Sequence, residues 1–223
     1  MVNPRLRGNP PEDETPSEFP IDPADLIVAL GRGLQVIESF DDESPRMSAA
    51  MVSERTGIPR TAARRHLLSL CHFGYAQTDG KFFWLAPRVL RLGQSYLGAA
   101  RLPRLVQPFI QRLSMATGET VNVSVLDGHE VVYVARSNSP RLVSIGFHVG
   151  DRAPAHAVSP GVVLLSRMTD RVVQRWVQAH EFAGFSGVTT TDREAFLANV
   201  AAARRTDHWF TQQQLDSTLG GVA

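Results

Sequence analysis

The chain of 223 residues contains a single cysteine, Cys71, and no long hydrophobic run. One cysteine cannot form an internal disulfide or a multi-cysteine metal site, which is typical of a reducing compartment. No apolar stretch approaches the roughly 20 residues that span a bilayer, and the N-terminal segment lacks the apolar region of a secretory signal. We therefore predict a cytoplasmic protein without a membrane partner.

Catalytic motifs are also missing from the sequence. It contains no GxSxG turn, no P-loop, no dinucleotide-binding fingerprint and no HExxH zinc motif. His156 and Ser159 lack a recognisable third member of a catalytic triad, and the histidines show no metal-ligand spacing. These absences predict that the chain is not an enzyme and that it uses no cofactor or metal.

Charge is distributed unevenly, although the formal net charge is only +1. Residues 1–44 carry 3 basic and 10 acidic side chains, a net charge of −7, whereas residues 45–100 carry 8 basic and 2 acidic side chains, a net charge of +6. The remaining residues carry 12 basic and 10 acidic side chains, a net charge of +2. A basic segment in a balanced chain is typical of a surface that binds a polyanion. A solvated charged face is the alternative that charge alone leaves open.

Hydrophobic periodicity predicts a compact helical unit after an acidic, proline-rich, disordered tail over residues 1–22. Apolar residues at helical spacing predict a helix over Asp25–Phe40. Ser48 is placed to cap a helix over Ala49–Arg55, and Gly57 is placed to end it. Pro59 suits the first position of a third helix, which continues to Phe73. Together the last two helices form a tight helix-turn-helix.

The third helix has two different faces. Ala63, Leu67 and Leu70 form a predicted buried stripe, while arginines lie on the other face of its N-terminal half. A recognition helix contacts base edges with this part, and arginine can bond guanine in a bidentate way. A type I′ hairpin turn at Asp79-Gly80 predicts a wing with Lys81 at its tip. The residues predicted to bind DNA are Arg60, Thr61, Ala62, Arg64, Arg65 and Lys81. A winged helix used only for protein contacts remains the alternative.

The rest of the sequence predicts a mixed domain, so that the whole chain is of the α+β class. Helices are expected over Arg88–Ala99 and, after an interruption at Pro103, over Leu105–Ala116. The predicted strands are Val121–Leu126, Glu130–Arg136 and Leu142–Phe147, with a turn at Asp127-Gly128 between the first two. Residues 160–180 and 191–205 are expected to be helical.

Several segments resemble the IclR family of bacterial transcription regulators. They are ALGRGLQVIESF at Ala29–Phe40, ERTGIPRTAARRHLLSL at Glu54–Leu70, GYAQTDGKFFWLAPRVLRLG at Gly74–Gly93 and VGDRAPAHAVSPGVVLLS at Val149–Ser166. Residues Arg88–Pro108 are similar to the branch that regulates protocatechuate, β-ketoadipate and para-hydroxybenzoate catabolism. The resemblance implies a winged helix-turn-helix domain over residues 23–86, a linker and dimerisation helix over 87–101, and a GAF-like effector domain over 102–223. It also implies operator DNA, a small organic acid and a homodimer or tetramer as partners.

An organic acid in an apolar pocket needs a few directed donors. The resemblance places the loop before residue 160 at such a pocket, and Ser159 is expected to cap the helix that follows. The predicted effector-binding residues are Arg136, Ala155, His156, Ser159 and Gly161. An ordinary core or surface histidine at position 156 is the alternative for the pocket. A DNA-binding or dimerising adaptor without a working ligand site is the alternative for the whole chain.

Two departures from the family pattern bear on the effector domain. The family continues past Gly220–Ala223 with strand sequence that completes its sheet, so we expect a shortened domain here. His208 stands where the family has glycine, and Gln212–Gln214 lacks an acidic residue.

Overall fold

The computed structural model of the chain describes residues 21–137 and 146–223. Two predicted features fall mostly outside this part: the tail over residues 1–22, and the strand over Leu142–Phe147, of which only the last two residues are described and neither is in a strand. The described residues form two compact units, one that ends at Ala99 and one that begins at Ala100. Within these described ranges, no helix is both long and apolar enough to cross a membrane.

The N-terminal unit begins with three helices, α1 (Val28–Glu38), α2 (Ala49–Thr56) and α3 (Arg60–His72). The helix predicted over Asp25–Phe40 is therefore shorter at both ends. Ser48 caps α2 as predicted, because its hydroxyl accepts a hydrogen bond from the Met51 amide at 3.4 Å. Gly57 ends α2 with a φ of +69°, a conformation that glycine adopts without strain.

The start of α3 differs slightly from the prediction. Pro59 stands at the N-cap instead of the first helical position, which Arg60 occupies. On the inner face of α3, Ala63 and Leu67 are fully buried, and Leu70 is half-buried at the edge of the core. The other buried members of this core are Val36, Met47, Ala49, Val52, Ile58 and Phe83.

A hairpin follows, formed by β1 (Ala76–Thr78) and β2 (Phe83–Leu85). Thr78 pairs with Phe83, so the connecting loop has four residues, 79–82. The predicted two-residue type I′ turn at Asp79-Gly80 is wrong, because such a turn needs positive φ at both central residues. In this loop only Gly80, with φ of +98°, adopts one. Helix α4 (Leu90–Ala99) then follows a 3₁₀ turn over Pro87–Val89.

The C-terminal unit opens with α5 (Arg101–Thr117) and a three-stranded antiparallel sheet of β3 (Val121–Asp127), β4 (Glu130–Ser137) and β5 (Arg152–Pro154). Pro103 lies in the first turn of α5 instead of interrupting a helix. Proline is tolerated there because the first-turn N–H groups have no intrahelical partner. Asp127 pairs with Glu130, so the β3–β4 turn consists of Gly128 and His129, one residue later than predicted.

Three further helices, α6 (Ser159–Ser166), α7 (Asp170–Ala179) and α8 (Arg193–Thr206), precede a hairpin of β6 (Phe210–Gln212) and β7 (Gly220–Val222). The stretch predicted as helical over residues 160–180 thus consists of two helices. The unit's core includes Val131, Val162, Leu165, Trp176, Phe196 and Val200. These residues join one face of the sheet to α6, α7 and α8.

Candidate nucleic-acid interface and effector site

The outer face of α3 carries the arginines that the sequence singled out. Arg60, Thr61, Arg64 and Arg65 are all exposed, and Ala63 and Leu67 anchor the opposite face in the core. Ala62 is half-buried and packs against that core, so it is less accessible than its neighbours. The helix therefore presents a hydroxyl and three guanidinium groups along its first two turns.

These three guanidinium groups differ from other arginines of the unit in their surroundings. Within residues 21–137 and 146–223, Arg60, Arg64 and Arg65 form no ion pair with a carboxylate. Arg46 and Arg55, in contrast, pair with Asp79 and Asp41. The α3 arginines are consequently available to an external anion, and DNA phosphates or guanine edges are suitable acceptors.

The hairpin loop is held together by Asp79. One of its carboxylate oxygens, Oδ1, accepts hydrogen bonds from the backbone amides of Lys81 at 2.9 Å and Phe82 at 2.7 Å. The bonds from Phe82 and Lys81, followed by the charge of Arg46, hold the pKa of Asp79 below its usual value. The exposed Lys81 lies at the tip of this loop, with Nζ 5.2 Å from the centre of the Phe82 ring.

The aromatic residues of the wing divide between two environments. Phe83 is buried in the core of the unit. Phe82 and Trp84 are half-buried beneath the guanidinium group of Arg46, which lies 5.4 Å and 4.9 Å from their ring centres. Sequence reasoning did not select Arg46, because it stands in an irregular loop 33 residues from Asp79 and belongs to no periodic pattern.

In the C-terminal unit, two of the predicted effector residues pack directly against each other. A Cβ atom on Gly161 would lie 2.0 Å from the carbonyl oxygen of Ala155, so only glycine allows this approach of the 3₁₀ turn Ala155–Ala157 to α6. Ser159 is buried, but the prediction that it caps α6 is wrong. Val158 is the N-cap residue, Ser159 is the first residue of the helix, and no side chain caps it.

The other two predicted effector residues have protein partners. Arg136 donates hydrogen bonds from Nη1 to the carbonyl oxygens of Gly146, at 3.3 Å, and Phe147. Nearby, the Phe147 ring stacks on Tyr133 with a centroid distance of 4.3 Å. Burial raises the pKa of Tyr133 above its usual range. The structure therefore ties Arg136 to the backbone that follows residue 145.

His156 belongs to a cluster of buried aromatic rings. Its Nε2 donates to the carbonyl oxygen of Ala183 at 2.9 Å, which leaves its Nδ1 to accept from Nε2 of His180 at 2.7 Å. His129 and Trp176 both stack on His180, with centroid distances of 4.9 Å and 4.3 Å. Burial, together with the neighbouring His156 and His129, lowers the pKa of His180 to about 4. Burial also lowers the pKa values of His156 and His129, so the cluster is neutral at pH 7.

Comparison with known families explains this combination of units. The profile of the IclR helix-turn-helix domain matches residues 29–80, and that of the bacterial transcriptional regulator IclR C-terminal domain matches residues 94–215. The chain belongs to the IclR family. The predicted family, the α+β fold class and the function as a DNA-binding transcription regulator are therefore confirmed.

Three relatives of this IclR chain are informative. The p-hydroxybenzoate hydroxylase transcriptional activator of Acinetobacter baylyi is 41% identical over 204 residues, which cover 89% of this chain and 75% of that protein. A crystal structure of a transcriptional regulator from Rhodococcus sp. RHA1 is 36% identical, has a TM-score of 0.71, and covers 88% of this chain and 79% of its own. The inducer-binding domain of a PobR double mutant from Acinetobacter, in complex with 3-hydroxybenzoic acid, is 35% identical. Its TM-score is 0.52, and the match covers 55% of this chain and 73% of that one.

Proposed function

We propose that this IclR-family chain regulates genes of aromatic-acid catabolism and that a hydroxybenzoate-type acid changes its affinity for operator DNA. The observation that carries the proposal is the 41% identity to a p-hydroxybenzoate hydroxylase activator. The 3-hydroxybenzoic acid complex of the PobR domain supports the same class of ligand. A ligand alters DNA affinity only if it binds the DNA-competent and incompetent conformations differently.

On the DNA side, we assign base and phosphate contacts to the exposed, unpaired arginines of α3. Thr61 and Lys81 contribute further polar contacts, and the small, half-buried side chain of Ala62 contributes an apolar contact to the surface that faces DNA. The helix-turn-helix geometry and the lack of intramolecular ion pairs on α3 support this assignment within the described residues. The proposed domain limits remain 23–86 for DNA binding, 87–101 for the linker and 102–223 for the effector domain.

On the effector side, we propose that Ser159 and Arg136 supply the polar groups of the pocket, with Ala155 and Gly161 forming part of its wall. Both ring nitrogens of His156 are engaged within the chain, which favours a role in holding the loop in place over direct contact with the ligand. We further propose that the protein acts in the cytoplasm as a homodimer or tetramer and has no enzymatic activity of its own.

Fluorescence anisotropy of labelled DNA from upstream of its own gene tests this function. The logarithm of the binding constant is expected to fall with the logarithm of the salt concentration, with a slope of roughly −0.9 per neutralised phosphate. The affinity is also expected to change when 4-hydroxybenzoate is added. Phenol, which lacks the carboxylate, serves as the control ligand and should leave the affinity unchanged. Salt-sensitive binding that no hydroxybenzoate changes would favour the alternative of a DNA-binding adaptor without a working ligand site. Absence of binding at low salt would refute the proposed role as a DNA-binding regulator.

A further inference from the structure

A second basic residue, from outside the wing, lies over the same aromatic ring as Lys81. Arg46, from the loop before α2, and Lys81 lie 5.4 Å and 5.2 Å from the centre of the same Phe82 ring. Arg46 also covers Trp84, whose indole Nε1 donates to Gln77 at 2.9 Å. Because Gln77 and Trp84 are paired across the hairpin, the sheet fixes Trp84, while the bond from the Phe82 amide to Asp79 holds the other ring of this aromatic platform.

The only acidic contact of Arg46 within the described residues is with Asp79, through Nη2 and Oδ2. Both side chains are well exposed, at 52% and 40%. Exposed ion pairs are weak, because water and salt screen them and because both side chains lose rotamer freedom. A stronger external anion can therefore replace the Asp79 carboxylate.

Loss of Arg46 would not release Asp79 from the loop. Its other oxygen, Oδ1, still accepts the amides of Lys81 and Phe82. The stacking of Arg46 on Phe82 and Trp84 is equally independent of Asp79. The two side chains can thus separate while the loop and the aromatic platform keep their structure.

We propose that Arg46 is a phosphate-binding residue of the DNA interface. In the free protein its guanidinium group pairs with the Asp79 carboxylate, and on DNA binding a phosphate replaces that carboxylate. This inference rests on the proposed DNA-binding function. Phosphate suits the site because a guanidinium group held over aromatic rings keeps N–H groups free to donate to an anion in a fork geometry. Such contacts carry no sequence information and strengthen binding to any duplex.

Five variants of the full chain test whether a DNA phosphate replaces Asp79 at Arg46. Each is measured on operator DNA and on a shuffled duplex, across a salt series. Arg46→Ala should weaken binding to both duplexes by the same factor and reduce the salt slope by roughly 0.9. Asp79→Asn should strengthen binding to both, and this gain should vanish in the double variant. Arg55→Ala is the matched control, because Arg55 forms a similarly exposed pair with Asp41 but covers no aromatic ring.

The outcomes separate this inference from the function on which it rests. If the unmodified protein binds neither duplex at low salt, the proposed function itself fails. If it binds but Arg46→Ala leaves the salt slope unchanged, or Asp79→Asn strengthens binding equally without Arg46, only the exchange is refuted. Arg46→Lys keeps the charge and should keep the slope, which distinguishes a lost phosphate contact from a misfolded wing if the alanine variant is unstable.

Discussion

The guanidinium groups of Arg64 and Arg65 are exposed on α3 and form no ion pair within the described residues. An arginine that reads guanine donates two parallel hydrogen bonds to its major-groove edge. Apart from Arg60, no other side chain of this helix carries a guanidinium group that can form both bonds. We therefore expect a few arginines to provide most of the contribution of α3 to the affinity for operator DNA.

Replacement of Arg64 or Arg65 by alanine is expected to weaken operator binding by about 1–3 kcal/mol each, the value of a good bidentate base contact. Titration of labelled operator by anisotropy measures the change. Arg193→Ala, an exposed arginine of α8, is the control and should bind as the unmodified protein does. Unchanged affinity in both α3 variants would contradict the assignment of α3 as the recognition helix.

His180 makes the stability of the C-terminal unit depend on pH. Its pKa of about 4 in the folded chain lies below the value of 6.5 expected in the unfolded chain. The unfolded state therefore binds more protons between pH 6.5 and pH 4, and the stability that is present above pH 6.5 is lost as the pH falls.

We expect the free energy of unfolding to decrease by about 2 kcal/mol between pH 7 and pH 5 because of His180. Urea denaturation at the two pH values measures it. His180→Gln, which keeps a donor for His156 but does not titrate, should lose most of this dependence, whereas His208→Gln, at an exposed histidine, should retain it. Equal pH dependence in all three proteins would rule out His180 as the cause.

Single residues were predictable where local rules act alone. Ser48 and Gly57 obey capping preferences, and Ala63 and Leu67 follow the helical repeat, so the sequence indicated their roles correctly. Arg46 was missed because its partners are distant in the chain. The role of His156 depends on hydrogen bonds to Ala183 and His180, and the surroundings of Ser159 include Gly221, where a Cβ atom would lie 3.3 Å from its hydroxyl. No local pattern encodes these distant neighbours.

At the scale of elements, periodicity predicted the helical segments and the strands β1 to β4 in their order, but it did not predict β5, β6 or β7, and it misplaced several junctions. The Asp79-Gly80 sequence favours a two-residue turn, yet the carboxylate of Asp79 bonds to two amides further along and stabilises a longer loop. Ser159 could cap a helix by residue type, but α6 begins one residue earlier than a serine cap requires. Competing hydrogen bonds therefore decided the length of the Asp79 loop.

The junction between the Ala155–Ala157 turn and α6 depends on Gly161. Gly161→Ala would place a methyl group 2.0 Å from the Ala155 carbonyl oxygen, so backbone must move. We expect a loss of stability of about 1–3 kcal/mol or more, as for overpacked cores. Gly187→Ala is the control, because no atom lies within 4 Å of its added carbon. Similar urea midpoints for both variants would show that α6 can move without cost.

At the scale of the whole molecule, α5 supports the proposed oligomer. Leu102, Leu105, Phe109 and Leu113 recur along one side of the helix, and each is between 45% and 64% exposed. A continuous apolar stripe of this kind is typical of a protein–protein contact. The stripe is self-complementary in chemistry, which suits a second copy of the chain.

Combined Leu105→Asp and Phe109→Asp substitutions are expected to lower the oligomeric mass in analytical ultracentrifugation. Two carboxylates in an apolar contact lose hydration without gaining a partner. Met115→Asp changes an apolar residue of the same helix that is 75% exposed but lies off the stripe, and should leave the mass unchanged. The same mass for all proteins would place the oligomer contact elsewhere.

The unpaired arginines of α3 also have a consequence for the free protein. Arg60 and Arg64 are one helical turn apart, and Arg60 stands at the positive end of the helix, whose first turn contains no acidic residue. Like charges at this spacing and cations at a helix N-terminus are both unfavourable, by about 0.2–1 kcal/mol each. We therefore expect the charges on α3 to lower the stability of the DNA-free protein, and operator DNA to raise it by supplying the missing counter-charge. The same two turns of α3 would then raise the affinity for DNA and lower the free energy of unfolding of the free protein.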